Sequence, residues 1–277
     1  MRFAFSTVAF PTWTLGRIAA QAKDWGYEGI ELRTFGHGST GLACDPALTA
    51  PAKVRGLLAS AGLRACCLAT SARFDEPVTP PVIGHVFDQE REVRAAKSAV
   101  DLAVELECPF VRVFGFEIIS GESRASALAR IGGRLSKVAD HCRNSGVRVL
   151  VENGGSFGRS SDLSELLDRV EGPLVGASFC PGVARQAGEG FADAINVLGD
   201  RLQVVKLRDF SGGEPCAIGG GDQHCEEDVG ALARSGYSGW VVVEHDRMWL
   251  KGAADAEKVV GGAAARVYGW SRGPVRV

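Results

Sequence analysis

The sequence predicts a (β/α)8, or TIM, barrel built as a single domain over residues 1–277. Short apolar runs alternate with longer segments of helical period about eight times along the chain. The apolar runs are continuous Val/Ile/Leu/Phe stretches, the pattern of strands buried on both faces of a parallel sheet. No Gly-x-Gly-x-x-Gly follows the first run, which sets aside an open dinucleotide-binding sheet.

In chain order, the first strand is RFAFS (2–6). The opening MRFAFSTVAF has the arginine and apolar stretch of a signal peptide, but Pro11 follows at once and TWTLGRIAAQAKDWG has helical period, so a strand is expected. GIELR (29–33) is the second strand, and the helix ALTAPAKVRGLLASAG closes on Gly62 before the third, RACCLAT (64–70). FVRVFG (110–115) is the fourth, followed by the helix SALARIGGRLSKVADHCRNSG, which closes on Gly146. After VRVLVE (147–152), SSDLSELLDRV opens with serines and Asp162 where an N-cap belongs. LVGASFC (174–180) and LQVVKL (202–207) are the sixth and seventh strands. The Gly-rich FSGGEPCAIGGGDQH (210–224) then forms a long loop, the helix VGALARSG ends on Gly236, and WVVVE (240–244) completes the barrel.

Composition narrows the function. Hydrophobic residues at 45% and charged residues at 23% supply a large core and exclude a disordered chain. A net charge of −2 without a basic run argues against nucleic acid as partner, and no apolar run is long enough to span a bilayer. The eight cysteines contain no CxxC pair and sit mostly inside strands and helices, as reduced thiols of a cytoplasmic protein do. A small-molecule substrate is the remaining expectation.

Barrel chemistry sits at the C-terminal ends of the strands. Strand alternation puts Glu31 and Arg33 on one face of the second strand and Lys206 and Arg208 on one face of the seventh. Arg112 lies in the fourth strand, Glu152 ends the fifth, Cys180 the sixth and Glu244 the eighth. Two glutamates at one barrel mouth repel each other unless a cation stands between them, and Lys206 is the one the chain supplies. Glu152, Glu244, Lys206 and Cys180 are the catalytic candidates; Cys180 qualifies as acid or nucleophile if Lys206 lowers its pKa, and as an apolar filler otherwise. Glu31, Arg33, Arg112, Arg208, Trp13, His245 and Trp249 are the substrate-binding candidates. Among these, Glu31 and Arg33 have each other as an alternative partner, Trp13 and Trp249 read equally as core aromatics, and His245 reads better as a solvent-facing loop residue than as a pocket wall.

The order of elements, with VLVEN (149–153), VGASFCPGVA (175–184), QVVKLRD (203–209), GYSGWVVVEHDRMW (236–249) and the opening FSTVAFPTWTL (5–15), resembles the xylose isomerase-like barrel superfamily of sugar phosphate isomerases and epimerases. The resemblance implies a divalent metal held by Glu, Asp, His and Glu at the ends of strands five to eight. The glutamates fall on Glu152 and Glu244, but the aspartate falls on Cys180, a histidine three residues later on Val183, and the histidine of the HxKD pattern on Lys206. A lysine ammonium has no lone pair to give a metal. The expectation is therefore no metal and no other cofactor, with Lys206 in the metal's place; an ordinary Mn or Mg site, and a zinc remnant on Cys180 and two carboxylates, are the alternatives.

The implied activity is isomerisation or epimerisation of a sugar-like, polyhydroxylated compound by proton transfer next to a carbonyl, with Glu152 and Glu244 as paired acid and base. A lyase acting on a related keto substrate, a Schiff base through Lys206 and a pseudoenzyme that binds without turnover are the alternatives. The superfamily's zinc endonuclease needs histidine ligands that His37, His85, His141, His224 and His245 do not place at the strand ends. Relatives often assemble as dimers or tetramers, so a homo-oligomer is in keeping with the resemblance.

Overall fold

The computed structural model describes residues 1–36, 39–76, 90–250 and 252–272. His37, His85 and parts of the loops 34–47 and 71–84 lie outside the described residues. Eight parallel strands close a barrel in sequence order: β1 (Arg2–Ser6), β2 (Gly29–Arg33), β3 (Arg64–Arg73), β4 (Phe110–Phe114), β5 (Arg148–Glu152), β6 (Val175–Phe179), β7 (Leu202–Leu207) and β8 (Trp240–Val243). Closure is made by β1 on β8, with Arg2 opposite Trp240 and Phe5 opposite Val243. Closure leaves no sheet edge, and the helices cover the outer face of every strand.

Seven of the strands lie within one residue of expectation at each end, β1, β2 and β7 coinciding with it, but β3 runs on to Arg73. The extension follows a register shift between Ala69 and Arg73, beyond which Arg73 pairs with Phe114. Helix ends follow the glycines in part. Gly62 and Gly236 adopt the left-handed conformation just past helices Pro51–Ser60 and Cys225–Arg234, with φ of 73° each. The helix expected to run to Gly146 instead spans Arg124–His141, and Asn144 (φ 61°) and Gly146 (φ 78°) both make left-handed turns after it.

The capping expectation for SSDLSELLDRV needs correction. Its helix, Ser160–Leu167, has no side-chain cap of its own. Glu189, from the segment after β6, takes hydrogen bonds from the Ser160 N–H at 2.7 Å and from the Ser160 hydroxyl. A carboxylate at a helix N-terminus satisfies free amides and meets the positive end of the dipole, which serves better than a local serine.

Two apolar clusters divide the core. The larger packs the outer strand faces against the helices; the smaller, with Ala4, Cys66, Cys67, Phe110, Leu150, Val204, Trp240 and Val242, fills the barrel interior. Trp240, 1% exposed, is the largest interior side chain, and the absence of a Cβ at Gly29 makes room for it: a methyl there would lie 2.7 Å from the indole. The interior is thus plugged from below. Strand side chains one step further up point into the mouth.

Candidate active site

The mouth is organised around Lys206, fully buried at the end of β7. Its Nζ lies 2.6 Å from Glu31 Oε1 and 3.8 Å from Glu152 Oε2, and it donates a hydrogen bond to Glu244 Oε2. The strand ends that carry these groups come from β2, β5, β7 and the residue after β8, so the cluster exists only because the barrel closes. Burial alone would lower the Lys206 pKa, but Glu244, Glu31 and Glu152 outweigh it and hold the ammonium above its ordinary value.

Above this floor stands a second tier of charge. Arg208 donates to Glu244 Oε1, lies 3.8 Å from Glu152 Oε1, and reaches Asp246 Oδ2 at 3.4 Å. Arg112 Nε is 3.1 Å from Glu152 Oε2, an ion-pair contact without hydrogen-bond alignment, while its Nη1 donates to the Thr70 carbonyl at 2.8 Å. Glu244 therefore has both oxygens occupied. Burial would raise its pKa, yet Arg208 and Lys206 together hold it well below the usual carboxylate range. Glu152 is held more loosely, with Ser178 Oγ at 3.5 Å as its remaining contact.

A cavity of about 410 Å³ opens over these groups, lined by Val8, Arg33, Arg112, Phe114, Glu152, Arg208, Glu244, Asp246, Trp249 and Leu250. The volume suits a small ligand, and charged groups converge on one end of it. Among the described residues no three His, Cys, Asp or Glu side chains are arranged to hold a metal ion.

Of the residues singled out by sequence, Glu152, Glu244, Arg33, Arg112, Arg208 and Trp249 meet in this cavity, with Lys206 and Glu31 sealed beneath it. Several expectations change. Glu31 and Arg33 do not pair with each other: Glu31 belongs to Lys206, and Arg33 donates to the Ala69 carbonyl at 3.0 Å and to Ser71 Oγ. Cys180 is no activated thiol. Burial pushes its pKa up, and its backbone is clamped by Asn153, which accepts from the Cys180 N–H at 2.7 Å and donates to its carbonyl at 3.2 Å.

His245 is 2% exposed, neither solvent-facing nor a cavity wall; its ring bonds the Ala254 carbonyl at 2.8 Å and fastens the loop after β8. Trp13 stacks on Phe10 (centroids 4.4 Å apart) and under Arg17 (3.6 Å), away from the cavity. Neither lines the cavity; each is held by these local partners.

Two residues were missed. Asp246 lines the cavity, and the alternation that puts Glu244 inward repeats at this position two residues on, even though β8 has ended. Asp209 organises the Gly-rich loop: its carboxylate accepts from the N–H groups of Gly219 (2.7 Å), Gly221 (3.1 Å) and Gln223 (3.1 Å). An aspartate before a glycine-rich segment was the available signal.

No curated protein matches the sequence. Solved structures share the fold. An L-ribulose 3-epimerase superposes with a TM-score of 0.80 at 14% identity, covering 98% of this chain and 94% of that one. A D-allulose 3-epimerase from Methylomonas sp. gives 0.76 at 18% identity, covering 97% and 96%. The probable 3-DHS dehydratase AsbF from Bacillus anthracis gives 0.77 at 15% identity, covering 97% and 99%. The family model for the xylose isomerase-like TIM barrel matches residues 19–265, and with the closed eight-stranded barrel this shows that the chain belongs to that family.

Proposed function

We propose that the protein is a metal-independent isomerase or epimerase that moves a proton on a carbon next to a carbonyl of a polyhydroxylated small molecule. The observation that carries this reading is the convergence of Glu152 with the Arg112 and Arg208 guanidinium groups on one cavity, over a lysine-centred floor. Glu152 takes the proton from carbon. The oxygen of the resulting enediolate accepts hydrogen bonds from the guanidinium groups; return of the proton from Glu152 to the neighbouring carbon gives the isomer, and the epimer takes its proton on the opposite face from a second acid, for which Asp246 at the cavity wall is the candidate.

The residues present do not fit the divalent metal that the family resemblance implies. Lys206 is an ammonium held by carboxylates, Arg208 takes the second oxygen of Glu244, and the Cys180 thiol is held protonated by burial. Lys206 is sealed from the cavity, so in this reading it acts as a positioning residue that replaces the metal's charge and fixes Glu244; the cations facing substrate are arginines. A Schiff base is disfavoured on the same ground, because it requires a neutral, reachable amine.

Glu244, doubly paired, serves as a fixed anion and leaves proton transfer to Glu152. Asp246 favours a second reading. It stands at the cavity wall, 3.4 Å from Arg208, where it can protonate a departing β-hydroxyl, which turns the same proton abstraction into loss of water. The dehydratase among the fold neighbours accords with that lyase.

The test is solvent exchange. Ketoses and keto acids are incubated with the enzyme in D2O with a chelator present, and loss of the C–H signal next to the carbonyl is followed by NMR. Exchange that survives chelation and disappears in Glu152→Gln supports the reading. Exchange that needs added metal, or is indifferent to Glu152, contradicts it, and binding with no exchange of any compound leaves the pseudoenzyme.

A further inference from the structure

Arg33 differs from the other cations of the mouth. Lys206, Arg112 and Arg208 each have a carboxylate within 4 Å. Among the described residues Arg33 has none. It is 6% exposed, lines the cavity, and spends two donors on neutral acceptors, the Ala69 carbonyl and Ser71 Oγ. A guanidinium carries five N–H donors in a planar fork, so a free edge remains.

Burying a charge without a counter-ion is costly. Burial and the nearby Arg112 depress the Arg33 pKa to about 10, more than Glu31, Glu244 and Glu152 raise it. The backbone holds it in this position regardless: the Arg33 N–H donates to Thr7 Oγ1 at 2.9 Å. The Trp249 ring lies 5.6 Å from the guanidinium carbon and is 59% exposed, forming an aromatic rim beside the charge.

We infer that the substrate carries a carboxylate, which Arg33 receives as the missing counter-ion; the substrate class is hydroxy or keto acids rather than neutral sugars. A phosphate is the other anion to consider, and barrels commonly bind phosphate at the loops after the seventh and eighth strands. In this chain the N–H groups of Gly219, Gly221 and Gln223 after β7 are already filled by the protein's own Asp209 carboxylate. A planar carboxylate on a single planar guanidinium matches what remains.

This inference rests on the proton-transfer reading of the same cavity, and its test is separable from that reading because it measures binding. Equilibrium binding of matched pairs, glycerate with glycerol, erythronate with erythritol and gluconate with glucitol, is compared on the wild type, Arg33→Gln and Arg33→Lys, with inorganic phosphate and glycerol phosphate as competitors. The expected result is that at least one acid binds about tenfold or more tightly than its neutral partner. Arg33→Gln removes the difference while melting as a folded protein, and Arg33→Lys retains part of it.

Equal binding of acids and neutral polyols, an acid preference that survives in folded Arg33→Gln, or phosphates that bind more tightly than every carboxylate would each overturn the inference. Deuterium exchange on neutral ketoses without acid preference leaves the proposed function standing and removes this inference. Acid binding without exchange does the reverse.

Discussion

Below the mouth, the barrel interior is filled by Phe110, Leu150, Val204 and Val242; two residues further along the same strands it holds Arg112, Glu152, Lys206 and Glu244. Backbone and alternation are the same in both tiers, and the physics is opposite. The lower tier gains free energy by removing apolar surface from water, in proportion to area. The upper tier loses hydration energy that only mutual pairing restores, so each charge there depends on the identity of its neighbours. A barrel can therefore change its chemistry in the upper tier while the lower tier keeps the fold.

The largest effects come from breaking one tier at a time. Lys206→Met leaves Glu31, Glu152 and Glu244 without their shared cation and is expected to cost about 3–5 kcal/mol in urea unfolding. Trp240→Ala opens a cavity in the lower tier and is expected to cost about the same, about 3–5 kcal/mol. The two separate by pH. Glu244 has a folded pKa below its ordinary 4.5, so its pairing stabilises fully above pH 4.5 and is lost as pH falls toward the folded value. Lys206 has a folded pKa above 10.5, so its contribution is full below pH 10.5 and is lost only as pH rises through the higher folded value. The deficit of Lys206→Met should thus shrink on acidification, while that of Trp240→Ala stays level. Equal pH dependence of the two would remove the distinction drawn between the tiers.

Next in size, Glu152→Gln keeps the shape of the upper tier and removes its loosely held base. Turnover is expected to fall by about a hundredfold or more, and the melting temperature is expected to fall as well, by less than in Lys206→Met, because Arg112 loses its carboxylate while Lys206 and Arg208 keep Glu244. Smallest of all, Trp249→Ala should shift unfolding by no more than about 0.5 kcal/mol, because the ring is mostly exposed. Its effect belongs in ligand affinity, measured by titration.

The lower tier and its strands were legible because a strand buried on both faces leaves a continuous apolar run that no other element imitates at that length. The upper tier was legible wherever a charge interrupted such a run, as at Arg112, Glu152, Lys206 and Glu244. What escaped depended on contacts across the barrel or on chain outside the strands. Nothing local says that Glu31 on β2 meets Lys206 on β7, a separation of 175 residues that only closure bridges. The burial of His245 depends on a loop returning to present the Ala254 carbonyl. Asp246 continues the alternation of β8 past the last strand residue, where a pattern confined to strands stops looking.

The most direct test of the central proposal, that Lys206 stands where the family resemblance implies a metal, is metal content by ICP-MS on protein purified without an affinity tag, alongside Lys206→His/Cys180→Asp. A native protein without stoichiometric divalent metal, beside a double variant that takes one up, is the result the lysine-centred mouth requires. Stoichiometric metal in the native protein would contradict it and return Glu152 and Glu244 to the part of ligands.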